Sequence, residues 1–158
     1  MKKIIAILAL ALLLSACGFH IRGNYQLPPN LQTVKIQTSD PYGAITREIS
    51  SVLRNSGIKI VDNSNLYTAT LQLGELKIER KLLSIYQNGQ NAEFNLYYTM
   101  PVTVIQPNKP NKNIVLEVQR IYQDDPQSSL AKSRESEILQ TEMQRHIAEQ
   151  LIAKLAAE

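Results

Sequence analysis

Asn91-Ala92-Glu93-Phe94-Asn95-Leu96-Tyr97-Tyr98-Thr99-Met100-Pro101-Val102-Thr103-Val104 holds one alternation from end to end. Ala92, Phe94, Leu96, Tyr98, Met100, Val102 and Val104 occupy one parity, and Glu93, Asn95, Tyr97, Thr99 and Thr103 the other. Successive strand side chains point to opposite faces, so this is a long strand with one face covered and one polar. Pro101 brings no amide hydrogen and marks an edge or a local break in the ladder. Just upstream stands Asn88-Gly89, the pair favoured in a type I′ hairpin turn, where both central residues need positive φ. The chain before it therefore pairs antiparallel with the long strand. That partner alternates from Ala69 to Tyr86: Ala69, Leu71 and Leu73 share a face, and the phase shifts across Gly74 before Leu76 and Ile78. A glycine at a phase change in a strand pattern indicates a bulge. After the long strand, Gln106–Asn113 with Pro107 and Pro110 reads as a loop. Ile114, Leu116 and Val118 against Glu117 and Gln119 make another strand.

Upstream, Thr33–Thr38 alternates as a half-buried strand, with Val34 and Ile36 opposite Lys35 and Gln37. Asp40-Pro41 reads as an N-cap with proline at the first helical position. Ile45, Ile49, Val52 and Leu53 then form one apolar stripe, and Gly57 is placed to end the helix. Ile58–Val61 is a short strand, so the segment is expected to be a right-handed βαβ unit with parallel strands. Downstream, Asp125-Pro126 opens a second helix in the same manner. Leu139, Met143, Ile147, Leu151 and Leu155 recur every four residues along it, while Leu130 to Glu137 is polar and projects beyond the sheet. The expected fold is α/β of the α+β kind: two helices on one face of a mixed, mainly antiparallel sheet of four to five strands.

The amino terminus carries a different message. Lys2 and Lys3 precede an apolar run from Ile4 to Leu14, and Leu14-Ser15-Ala16-Cys17 follows the pattern of a lipoprotein cleavage site. As a helix the run reaches only about 16 Å, against roughly 30 Å of hydrocarbon. Residues 1–16 are therefore expected to be a removed signal and residues 17–30 a lipidated tether, with Pro28 and Pro29 keeping its end extended. One domain of 31–158 follows. Cys17, the single cysteine, would carry an N-acyl group and an S-diacylglycerol, and two or more chains hold a protein stably on a bilayer. Gly18, where inner-membrane lipoproteins generally carry Asp, directs the expectation to the periplasmic face of the outer membrane. Of the 17 Lys and Arg, two leave with the signal, and the fifteen that remain nearly balance 14 Asp and Glu. Nucleic-acid binding has no compositional support. With the cysteine acylated, disulfides and thiolate metal sites are excluded.

Catalytic patterns do not emerge. His20 and His146 are the only histidines, and neither has a second ligand at metal spacing. There is no G-x-S-x-G elbow, phosphate-cradling glycine loop or H-E-x-x-H. Asp125 is accounted for as a cap. No cofactor and no enzyme activity are expected. The cations of interest are Lys77, Arg80 and Lys81 on the first hairpin strand, Lys109 and Lys112 in the Pro-rich loop, and Lys132 and Arg134 early in the last helix. In a chain near neutrality most of these read as ordinary solubilising charge; the competing reading is charge-assisted hydrogen bonding to the phosphates of an anionic partner.

Four segments carry a family resemblance. Cys17-Gly18-Phe19-His20-Ile21-Arg22-Gly23 resembles the opening of the LPS-assembly lipoprotein LptE family. Tyr86–Phe94 is similar to its NGQ-A-E hairpin, Asp125–Lys132 to its NPQxxLAK helix start, and Ala148–Ile152 to its AEQLI helix end. The resemblance implies two helices on a mixed sheet, and a plug seated in the outer-membrane β-barrel LptD. It implies help in assembling that barrel, and lipopolysaccharide (LPS) binding. It also implies a partner-facing hairpin tip at Tyr86, Asn88, Gly89 and Gln90. Within the family, a basic residue just before the turn and the lysine of LAK are linked to LPS. Lys132 matches the second; Gln87 takes the first place and is not basic, which leaves Arg80 or Lys81 as stand-ins. The competing expectations are an independent outer-membrane lipoprotein binding lipid or peptidoglycan without a barrel, and a lipid-anchored hydrolase dependent on His146 or His20.

Overall fold

The structure is a computed structural model describing residues 28–62, 67–124 and 129–157. A single turn of 3-10 helix, Pro29–Leu31, leads into six strands and two helices. In chain order these are β1 (Thr33–Gln37), α1 (Ala44–Asn55), β2 (Lys59–Ile60), β3 (Ala69–Leu73), β4 (Lys77–Ile85), β5 (Asn91–Ile105), β6 (Lys112–Gln123) and α2 (Ser129–Ala156).

β1 pairs parallel with β2 and with β3, and the long β5 is antiparallel to β3, β4 and β6. β1, α1 and β2 are thus the parallel βαβ unit expected. β6 pairs with residues 93–104 of β5, so β3 and β4 lie end to end along the opposite edge. The strand count exceeds the four to five expected because the alternation from Ala69 to Tyr86 is two strands. Leu73 faces Val102 and Lys77 faces Thr99, so four steps on one side match three on the other. The single extra residue is the bulge that Gly74 signalled. The Gly74 amide donates to the Pro101 carbonyl at 2.8 Å. In an antiparallel ladder one residue's N–H and C=O point to the same neighbour. The amide hydrogen that Pro101 lacks would therefore have faced the bulge, where the ladder is already broken. A Cβ on Gly74 would stand 2.6 Å from the Pro101 ring, so the close approach itself selects glycine.

Both helices contribute to one core on one face of the sheet. Val34, Leu71, Tyr98, Met100, Val102 and Leu116 rise from the strands to meet Ile49, Leu53, Met143, Ile147, Leu151 and Leu155. The four-residue ridge read along α2 is buried from Met143 onward, whereas Leu130 is 70% exposed. The polar first turns supply no buried core side chain, yet they do not project free of the sheet, because the Tyr122 hydroxyl of β6 donates to the Lys132 carbonyl. Gly57, at φ +84°, ends α1: its amide donates to Arg54 and the Ile58 amide to Leu53, a Schellman arrangement.

Two local readings change. α1 begins at Ala44 with Gly43 as N-cap, three residues later than Asp40-Pro41 suggested. The Asp40 carbonyl, not its carboxylate, receives the Gly43 amide and the Thr46 hydroxyl, so residues 40–43 form a turn ahead of the helix. The hairpin is also not type I′. Among the described residues only Asn108 is a non-glycine with positive φ, so Asn88 stays at negative φ and Gly89 alone takes the left-handed conformation, at +81°. Gly89 donates to the Tyr86 carbonyl and Tyr86 to the Gln90 carbonyl, which closes a three-residue loop, Gln87-Asn88-Gly89. Asp125-Pro126, read as the cap of α2, lies outside the described residues.

The free edge of β6 is closed by side chains of α2. Gln150 accepts the Glu117 amide at 2.8 Å and donates to the Glu117 carbonyl at 3.2 Å, and Lys154 donates to the Val115 carbonyl. A carboxamide thus makes the pair of bonds that a neighbouring strand would make.

Candidate functional site

The end of the sheet that carries the hairpin lies beside the exposed start of α2, and the candidate cations divide there. Register puts Ile78, Arg80 and Leu82 opposite Tyr98, Leu96 and Phe94, on the face that bears the helices. Lys77, Glu79 and Lys81 oppose Thr99, Tyr97 and Asn95 on the outer face. Arg80 and Lys81 therefore cannot act together, although they are adjacent in sequence. Lys81 lies 4.6 Å above the Tyr97 ring and pairs with Glu79 at 3.5 Å.

Arg80 and Lys132 converge on one aromatic row. Phe94 of β5 faces Tyr122 of β6 across the ladder, and both are buried. The Arg80 guanidinium stacks 3.3 Å above the Phe94 ring and reaches Asp124 at 3.3 Å. The Lys132 ammonium stands 5.6 Å from the Tyr122 ring and pairs with Glu135 at 2.8 Å. The Tyr122 hydroxyl donates to the Lys132 carbonyl at 3.2 Å, tying β6 to the first turn of α2. Tyr86, at the base of the hairpin, donates its hydroxyl to the Asp124 carbonyl at 3.0 Å. Burial pushes the Tyr122 phenol above the usual tyrosine range; the Asp124 and Glu135 carboxylates add to this and Lys132 and Arg80 oppose it. The hydroxyl accordingly remains a donor across the physiological range.

This arrangement suits anion exchange. Both cations rest on π faces and engage carboxylates that are themselves partly solvent-exposed, so each pair contributes about 0–1 kcal/mol. A phosphate, with three acceptor oxygens and greater charge, can replace either carboxylate at small cost. Gln87, Asn88, Gly89 and Gln90 form the tip, where the Asn88 amide donates to the Gln90 side chain and its oxygen accepts the Gln90 backbone amide. Gln87 is exposed in that loop. His146 lies on the flank of α2, 3.6 Å from Glu149, and no group of three metal-ligating side chains occurs among the described residues. Cys17 and His20 fall outside them.

Sequence reading missed Tyr122, Asp124 and the aromatic role of Phe94. The apolar parity of β6 is plain in the sequence as far as Val118, and Arg120 interrupts it. Continuing the period past it reaches Tyr122, the residue that links both cations.

Fold and site together define an α+β module with a cation-bearing, aromatic-backed end. Among its described residues no helix is long and apolar enough to cross a membrane. The LptE family, described as lipopolysaccharide-assembly, matches residues 31–155. The LPS-assembly lipoprotein LptE of Pectobacterium atrosepticum is 38% identical over 94% of this chain and 82% of its own length. That of Yersinia enterocolitica is 36% identical over 98% and 75%. Among solved structures, rare lipoprotein B of Shewanella oneidensis superposes with a TM-score of 0.71 at 36% identity, covering 79% of this chain and 94% of that one. Lipoprotein B of Nitrosomonas europaea, at 23% identity and a TM-score of 0.69 over 89% and 91%, shares the fold. The chain belongs to the LptE family of LPS-assembly lipoproteins.

Proposed function

We propose that this protein is a non-catalytic outer-membrane lipoprotein, held by a lipidated Cys17 on the periplasmic face after removal of residues 1–16. Residues 17–30 are its tether and 31–158 its working domain. That domain plugs the LptD barrel, assists its assembly and binds LPS during delivery to the cell surface. The observation that carries the LPS part is the convergence of Arg80 and Lys132 on the Phe94–Tyr122 pair. Gln87 leaves the hairpin without the basic residue linked to LPS in relatives, and Arg80 supplies a second cation from the adjoining strand. The pair exchanges Asp124 and Glu135 for lipid phosphates, competing with the divalent cations that bridge LPS molecules and so opposing their aggregation.

The barrel partnership draws on family membership and on the polar hairpin tip, which suits a water-filled lumen. Affinity purification through the C-terminus from outer membranes tests it: a stoichiometric complex with a large, heat-modifiable barrel is expected. Recovery without a barrel refutes the plug and favours an independent lipid- or peptidoglycan-binding lipoprotein. For the LPS site, Lys132→Asp and Arg80→Asp are each expected to weaken LPS retention and outer-membrane barrier function. Unchanged binding in both variants removes these residues from the mechanism.

A further inference from the structure

Resting on the LPS-binding reading, we propose that β4 provides the seat for an acyl chain of the bound lipid, alongside the cations that take its phosphates. A strand next to a core should hide its inward residues. Ile78 and Leu82 point to the helix-bearing face, opposite buried Tyr98 and Phe94, yet are 56% and 50% exposed. The fully buried side chains of α2 begin at Met143, with Leu139 partly buried before them, and the helix packs mainly over β6 and β5, leaving the β4 margin uncovered. The strip from Ile78 to Leu82 is about 13 Å long at the usual rise of a strand. Arg80 sits between the two apolar residues on the same face, and the row Leu82–Phe94–Tyr122 leads from the strip to Lys132.

Charge complementarity selects the occupant. An apolar strip with a guanidinium in its middle and a lysine at the end of its row is poorly matched to an uncharged peptide. It fits an amphiphile with hydrocarbon on one side and phosphate on the other: a phosphorylated, acylated saccharide. The outer-face cations Lys77 and Lys81 guard the same edge against an added strand, since lysines on an edge oppose strand pairing. The edge therefore repels a polypeptide ladder while its inner face stays open to a lipid.

The test compares two labelled probes on the full mature lipoprotein immobilised through its C-terminus: a hexa-acylated, bis-phosphorylated glucosamine disaccharide and the same disaccharide fully deacylated. Threonine preserves strand preference while removing apolar surface, so Ile78→Thr and Leu82→Thr are the informative variants. Ile121→Thr, at a residue 64% exposed on the outer face, is the control. Each β4 variant is expected to weaken retention of the acylated probe about tenfold. Retention of the deacylated probe should not change, and Ile121→Thr should leave both unaffected. Equal retention of the acylated probe by wild type and the β4 variants overturns the acyl seat while leaving the phosphate site standing. An equal loss in Ile121→Thr overturns it as well, as does loss of barrel co-purification with lipid retention intact, which would assign the strip to a protein contact. Failure of wild type to retain either probe instead refutes the LPS-binding reading on which the seat rests. Matching melting curves for all variants exclude misfolding as the cause.

Discussion

Replacing Gly74 with alanine isolates the cost of the bulge. Gly74 is not in the left-handed region, so the backbone accepts alanine, and the change would ordinarily stabilise by about 0.4–1 kcal/mol through the unfolded chain. Here the added Cβ would lie 2.6 Å from Cγ and 2.9 Å from the carbonyl oxygen of Pro101. Neither atom yields easily, because the ring is rigid and Pro101 is held in the central strand opposite Val115 of β6. Relief requires β3 or the bulge to move away, at about 1–3 kcal/mol for overpacking. The same movement stretches the 2.8 Å bond from the Gly74 amide to Pro101, worth about 1 kcal/mol. A net loss of about 1–3.5 kcal/mol follows, a large part of the 5–15 kcal/mol typical of a domain. Urea unfolding followed by far-UV circular dichroism should show a lower midpoint with an unchanged slope. Gly57→Ala is the contrast: nothing lies within 4 Å of the new Cβ, and only the φ of +84° is strained, at about 1–2 kcal/mol. If Gly74→Ala were neutral or stabilising, the close approach of β3 to Pro101 would be wrong and the bulge would need another cause.

Three further outcomes can be checked. Gln150→Leu removes both bonds to Glu117, and because they are exposed the stability loss should stay below about 1 kcal/mol; amide exchange at Glu117 should quicken and self-association through β6 should appear on size exclusion. Burial raises the pKa of Tyr98, and burial first and then Asp124 that of Tyr122, above the ordinary 10.0. The folded state thus holds these protons more tightly than the unfolded chain, so their contribution is complete below pH 10 and is lost as pH rises through the folded values. Chemical unfolding across pH 9–12 should show that decline, less steep in Tyr122→Phe. Asp124→Asn removes the carboxylate engaged by Arg80 and should strengthen retention of phosphorylated lipid by up to about fivefold at low salt, with the gain shrinking as salt is added.

Period alone located β1, β5, the start of β6 and the buried ridge of α2, because alternation or a four-residue repeat records which side of an element meets the core. Gly57 and Gly74 were legible for the same local reason: one needs positive φ, and the other marks a shift of phase. The start of α1 and the hairpin type were not, since Asp40-Pro41 and Asn88-Gly89 fit more than one backbone path and the choice depends on what each peptide group bonds to afterwards. The candidate site divides likewise. Lys132 and Arg80 could be named from residue type and resemblance, but not their shared aromatic floor, nor the separation of Arg80 from Lys81. Those depend on register across β4, β5 and β6, set by ladder partners as distant as Glu93 and Gln123, which in turn brings Arg80 to Asp124, 44 positions away. A linear chain specifies the faces of its own elements; only packing decides which faces meet, and at this hairpin it left the inward side of β4 uncovered.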